Sequence, residues 1–147
     1  MWVYIDTSVF GGYFEPEFEV WTKPFFKSIH KNIISPIVSE LTVNELEKAP
    51  AQVKNLFNEY LPKIKIVQLN DEVEHLAGLY IKEKAVTQKS YDDALHIAVA
   101  TIIKADVIVS WNFKHIVNVN RIRAYNSTNL KYGYSVIDIR TPLEFIS

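Results

Sequence analysis

Trp2-Val3-Tyr4-Ile5-Asp6-Thr7-Ser8 decides how the rest of this chain is read. Four apolar strand formers run without a break and stop at an acid followed by two hydroxyl residues. That is a short strand closed by turn and cap chemistry. Asp106-Val107-Ile108-Val109-Ser110 repeats the pattern and reads as a buried-type strand. Between these two runs the apolar periodicity changes from strand to helix and back. After Asp6-Thr7-Ser8, the pair Gly11-Gly12 marks a break. Residues 18–31 read as a helix with Phe18, Trp21, Phe25 and Ile29 on one side, in which Pro24 sits early or makes a kink. Ile33-Ile34 and Ile37-Val38 flank Pro36 and give a second strand ending near the proline. Ser39 opens a helix through Glu47. Thr42 stands where a capping box wants an acid, so no box is expected.

A further helix spans 51–60 and is closed by Leu61-Pro62. Residues 64–69 are a strand. Asp71 caps a helix running to about Lys84, with Val73, Leu76, Ala77, Tyr80 and Ile81 on one face. Ser90 starts the next, to about Lys104. Residues 112–131 are polar and partly helical, 135–139 form a last strand, and Thr141-Pro142 opens a short terminal helix. Strands alternating with helices predict an α/β sandwich around a mostly parallel sheet.

Composition bounds the function. The 147 residues suit a single domain over 1–147, with a core large enough to need no covalent staple. Hydrophobic residues make up 48%, charged residues 22% and aromatic residues 13%, which excludes a disordered or low-complexity chain. The absence of cysteine removes disulfides, thiolate zinc sites and thiol nucleophiles. No apolar run approaches the ~18 residues that span a bilayer. The N-terminus has neither a basic region nor a long apolar stretch, so no signal peptide is read and a cytoplasmic location is expected. The net charge of −1 is unevenly spread. Residues 1–100 hold 10 Lys/Arg against 14 Asp/Glu, and residues 101–147 hold 6 against 3. The chain is not the strongly basic type that lives on non-specific DNA binding, but it has room for a basic face beside an acidic pocket.

In open α/β sheets, sites form at the carboxyl ends of strands. Asp6 follows the first strand, Ser110 and Asn112 follow the strand 106–110, Glu45 lies on the helix after the second, and Asp92-Asp93 open a helix. Carboxylates converging without Lys or Arg cannot all stay ionised unless a cation joins them. Hard oxygen donors suit Mg²⁺ or Mn²⁺, which can activate bound water and stabilise a phosphoryl oxygen. Plainer roles compete. Asp6 also fits a helix cap, Glu45 a solvated helix acid, and Asp92 and Asp93 a helix first turn that favours acids anyway. Spacing does not choose between Asp92 and Asp93. His96 shares a helical face with either and, among Leu95, Ile97 and Ala98, reads as a hydrogen-bonded semi-core histidine. No H-E-x-x-H, G-x-G-x-x-G, P-loop or G-x-S-x-G is present. The stretch from Trp111 to Tyr125 mixes cations, amides and aromatics, which suits phosphates and unstacked bases, or a solvated helix with a few core rings.

Taken together these segments resemble a PIN domain, and particularly the VapC-like toxins of type II toxin–antitoxin systems. Val3-Tyr4-Ile5-Asp6-Thr7-Ser8-Val9 is similar to the family's opening strand and first acid. Ser35-Pro36 through Glu45-Leu46 resembles its second motif, and Tyr91-Asp92-Asp93-Ala94-Leu95-His96-Ile97-Ala98 its third, with Asp93 as the acid before Ala-Leu-His. Asp106 through Ile116 resembles a subgroup's fourth motif, and Thr141-Pro142-Leu143-Glu144 the closing turn. The resemblance implies a three-layer α/β/α sandwich with a five-stranded sheet. It implies a Mg²⁺- or Mn²⁺-dependent endoribonuclease that leaves a 5′-phosphate and a 3′-hydroxyl. Asp6, Glu45, Asp93 and Asn112 would form the metal site, the three acids holding one ion and the Asn112 amide oxygen meeting it directly or by positioning a bound water. The family's fourth position is often aspartate; an asparagine brings no charge, which leaves a second ion unsupported. Ser8 and Ser110 would orient ligands or waters, and Asp92 would be a cap or outer acid. Lys114, His115, Arg121 and Arg123 are candidate RNA contacts. A small antitoxin protein and a homodimer are the implied partners, with no membrane. The competing class is a non-catalytic PIN-fold module that binds RNA or protein without turnover.

Overall fold

A computed structural model describes residues 1–145. Five parallel strands form one sheet: β1 (Trp2–Ile5), β2 (Ser35–Ser39), β3 (Lys65–Val67), β4 (Val107–Val109) and β5 (Ile139–Arg140). Their order is β3-β2-β1-β4-β5, which places the opening run at the centre. The helices are α1 (Thr7–Gly12), α2 (Glu19–His30), α3 (Glu40–Leu46), α4 (Ala51–Tyr60), α5 (Asp71–Lys82), α6 (Tyr91–Ile102) and α7 (Val119–Lys131). Short 3₁₀ turns occupy 61–63, 88–90 and 142–145, the last at the expected terminal helix. No helix among the described residues is long and apolar enough to cross a membrane.

The pleat explains why the strands are apolar throughout. Successive side chains point to opposite faces. Val3 and Ile5 join a core with Phe10, Phe25, Phe26, Leu56 and Phe57 from α1, α2 and α4. Tyr4 between them joins a second core with Leu76, Tyr80, Ile97 and Ala98 from α5 and α6. Ile108 and its neighbours Val107 and Val109 divide in the same way. Both faces of the sheet are thus covered, which makes three α/β/α layers.

Several local expectations shift. Gly11-Gly12 close α1 as its last two residues, and a turn segment follows at 13–18, where the break was expected. Gly12 is required there because a Cβ would meet the Trp111 ring at 2.6 Å. Pro36 does not end β2 but is its second residue. Ser35 N donates to Met1 O, so the next backbone position faces the β3 side, where pairing starts only at Ile37. The missing N–H therefore costs no ladder bond. Thr42 does take the acid's place in a capping box, accepting from Ser39 N at 3.4 Å. The α5 cap is Asn70 rather than Asp71, its side chain accepting from Val73 N. The last strand is 139–140 instead of 135–139. The Asn126 amide takes both backbone groups of Ile137, accepting at 2.8 Å and donating at 3.0 Å, which withdraws that residue from the ladder.

Candidate active site

Parallel strands bring their carboxyl ends to one edge. Asp6 leaves β1 there, α3 leaves β2, and Ser110 and Asn112 follow β4. The first turn of α6 carries Asp93 to the same place, where its Oδ1 accepts from Asn112 Nδ2 at 3.2 Å.

Asp6 is 4% exposed. Its Oδ2 accepts from the Ser8 hydroxyl at 2.6 Å and the Ser110 hydroxyl at 2.8 Å. Those hydroxyls are themselves held by backbone: Trp111 N donates to Ser8 Oγ, and Asn112 N to Ser110 Oγ. One oxygen of Asp6 is thus locked. The other, Oδ1, lies 3.6 Å from His96 Nε2.

Glu45 Oε1 accepts from Thr7 Oγ1 at 2.7 Å and from His96 Nε2 at 2.6 Å. Burial alone would raise its carboxyl, but the His96 hydrogen bond and charge, with the Thr7 hydroxyl, hold it below the usual carboxylate range. His96 is fully buried. Burial disfavours a charged ring, yet Tyr4, Glu45 and Asp6 together raise its pKa well above the ordinary value. A charged ring donates from both nitrogens. Nε2 serves Glu45, and Nδ1 meets the Tyr4 hydroxyl at 2.7 Å, which in turn pairs with Ser39 Oγ at 2.8 Å. His96 is therefore the hydrogen-bonded core histidine its apolar neighbours suggested, and it carries charge compensation as well.

Asp93 is half-buried, and Asp92 beside it is exposed. The fold thus separates two acids that spacing left equivalent. Burial, then the charge of Asp6, push the Asp93 carboxyl up to about 6; Glu45 and Asp92 add to this and His96 opposes it. Asn112 has its own carboxamide oxygen engaged, accepting from His115 N at 2.9 Å. It therefore turns an N–H toward Asp93 and not an oxygen.

Among the described residues no three His, Asp or Glu side chains gather closely enough to hold a metal ion. Glu45 and Asp6 both face His96 Nε2, while Asp93 faces Asn112. The donor set still fits a hard cation in its chemistry. Burial and then the Asp6 charge raise the Asp93 carboxyl, and no Lys or Arg pairs with Asp6, Glu45 or Asp93 among the described residues.

The candidate RNA contacts divide. Lys114 and Arg123 are exposed. Arg121 spends one N–H on Ala85 O at 2.7 Å. His115 is half-buried, with Nδ1 buried and unpartnered, and burial with Lys114 and Arg121 lowers its pKa. Nothing in the sequence spacing marks Tyr4, Thr7 or Ser39 as parts of this network. Alternation along β1 does send Tyr4 to the α6 side, but its partners lie 35 and 92 residues away.

A PIN domain family model matches residues 3–115, so the chain belongs to the PIN domain family, generally a family of nucleases. Among solved structures it is similar to VapBC2 from Rickettsia felis, bound to a DNA fragment from their promoter. That match has 15% identity and a TM-score of 0.57, over 78% of this chain and 90% of the other. It is also similar to FitAcB from Neisseria gonorrhoeae, with 15% identity and a TM-score of 0.57, over 95% of this chain and 97% of the other. No curated protein matches the sequence.

Proposed function

We propose that the chain is a metal-dependent endoribonuclease, a single PIN-like domain over 1–147 acting as the VapC-like toxin of a toxin–antitoxin pair. The observation that carries this reading is Asp93. Its carboxyl is pushed up to about 6 by burial and by Asp6, at a strand edge where no Lys or Arg pairs with it among the described residues. Such a site wants a cation. Asp6, Glu45 and Asp93 would hold one Mg²⁺ or Mn²⁺. When bound, the ion lowers the pKa of water and stabilises charge on a phosphoryl oxygen. The chain's own groups do the positioning. Ser8 and Ser110 orient Asp6, His96 and Thr7 orient Glu45, and the Asn112 N–H fixes Asp93. Asn112 is also the residue proposed to position the attacking water; its N–H suits an oxygen better than it suits a metal. Asp92 is an outer acid. Lys114, His115, Arg121 and Arg123 are proposed contacts to the RNA backbone. The resemblance to complexes named VapBC2 and FitAcB supports a small antitoxin partner, and a homodimer is proposed with it.

The test is cleavage of a mixed structured RNA pool in EDTA, Mg²⁺ or Mn²⁺, with wild type beside Asp93→Asn. Metal-dependent cutting lost in the variant supports the reading. Equal cutting by both proteins removes Asp93 from the site. The donor role of Asn112 favours a second reading, a PIN-fold module that binds RNA or protein without turnover. No cutting, together with no metal effect on melting, would select it.

A further inference from the structure

We propose that Phe113 is a stacking platform for a nucleobase of single-stranded RNA, set one residue beyond the acidic edge and flanked by Lys114 and Arg121. The inference rests on the RNA reading above and specifies how that site grips its substrate.

Phe113 is 50% exposed. The ring directly follows Asn112, whose side chain contacts Asp93. The ring is backed by other aromatics. Phe18 and Trp111 stack at 4.4 Å, and Phe113 lies 6.2 Å and 6.1 Å from them. Trp111 is buried and tied through Nε1 to Thr22 Oγ1. The loop beneath Phe113 is held in place. Asn118 Nδ2 donates to Phe113 O at 2.7 Å and to Lys114 O at 3.1 Å, and Val117 N donates to Asn112 O at 2.8 Å. The platform is thus formed before any ligand arrives, which lowers the cost of binding.

Phe113, Lys114, Asn118, Val119, Asn120 and Arg121 line a concavity of about 640 Å³. Two of these residues are apolar, two are amides and two are cations. That mixture suits a base with its phosphates better than the apolar helix of a protein partner. Lys114 has no acidic partner among the described residues, and Arg121 uses one of its five N–H groups on Ala85. A duplex hides its base faces by stacking, so the ligand is single-stranded.

The experiment measures Kd for a short fluorescent oligoribonucleotide in EDTA, which prevents cutting, and for the same strand with its central bases removed. Proteins are wild type, Phe113→Ala, Phe113→Leu and Phe113→Trp, each checked for unchanged melting. Phe113→Ala should weaken binding of the intact strand about tenfold. Phe113→Trp should retain affinity, Phe113→Leu should not, and the base-free strand should be insensitive to all three. Equal affinity of Phe113→Ala and wild type overturns the platform, as does full recovery by leucine. Metal-dependent cutting with an unchanged KM in Phe113→Ala would overturn the platform and leave the nuclease standing. No RNA affinity in wild type, with the oligomeric state altered by Phe113→Ala, would assign the ring to a protein contact and overturn both.

Discussion

Asp93 shows how one residue records the site around it. Its carboxyl is pushed from 3.8 to about 6. Between those values the folded chain binds more protons than the unfolded chain, so stability falls as pH rises through the window. The destabilisation is absent below about pH 4 and complete above about pH 6. Asp93→Asn is neutral throughout. In EDTA the stability of the variant relative to wild type should therefore rise from pH 4 to pH 7. The gain should be about 1 kcal/mol once solvent screening at a half-buried group is discounted. Urea unfolding at a series of pH values measures it, and a flat difference would show that neither burial nor the neighbouring acids raise this carboxyl. The residue itself was legible as a candidate, together with Asp92. What distinguished the two was exposure, and that depends on which side of α6 faces the sheet.

At the scale of elements, two glycines make opposite predictions. Both lie in helices, where alanine is intrinsically better by ~1 kcal/mol. Gly78 in α5 is exposed, and a Cβ there meets nothing within 4 Å. Gly78→Ala should stabilise by ~0.5–1 kcal/mol. Gly12 closes α1 against Trp111, so close that an added Cβ would stand 2.6 Å from the ring. Gly12→Ala should destabilise by ~1–3 kcal/mol, because the ring is pinned by Thr22 and cannot retreat freely. Denaturant midpoints of the two variants should move in opposite directions; stabilisation by both would mean that propensity outweighs packing at Gly12. The break at Gly11-Gly12 was legible, but the close packing that requires glycine there was not. A glycine's sequence context shows that it permits a turn, while its packing partner here lies in a distant part of the chain, just after β4.

For the whole molecule, the site is assembled from β1, α3, α6 and the segment after β4, so only the folded chain presents it. A cation that binds there binds the native state alone. At 100 times its Kd, one ion should add ~2.7 kcal/mol of stability. For a chain of this size that raises the melting temperature by several degrees. Mn²⁺ added to wild type should show this shift in a thermal melt, and Asp6→Asn should abolish it. A shift retained in Asp6→Asn would place the ion elsewhere.

The sequence by itself determined the alternation of strands and helices, the parallel sheet, and the edge to which Asp6 and Asn112 belong. Those follow from local periodicity and from the rule that parallel strands share a carboxyl edge. Only the tertiary structure decided how the acids are held. Ser8 and Ser110 lock one oxygen of Asp6 from two strands' ends. His96, anchored by Tyr4, supplies a buried charge to Glu45. The Asn112 carboxamide is turned by the His115 amide so that it donates to Asp93. Apart from the Ser8 bond to Asp6, each of these contacts joins residues far apart in the chain or depends on which atom a backbone amide claims first. Neither is written in spacing, because a hydrogen bond is settled by distance and direction in three dimensions.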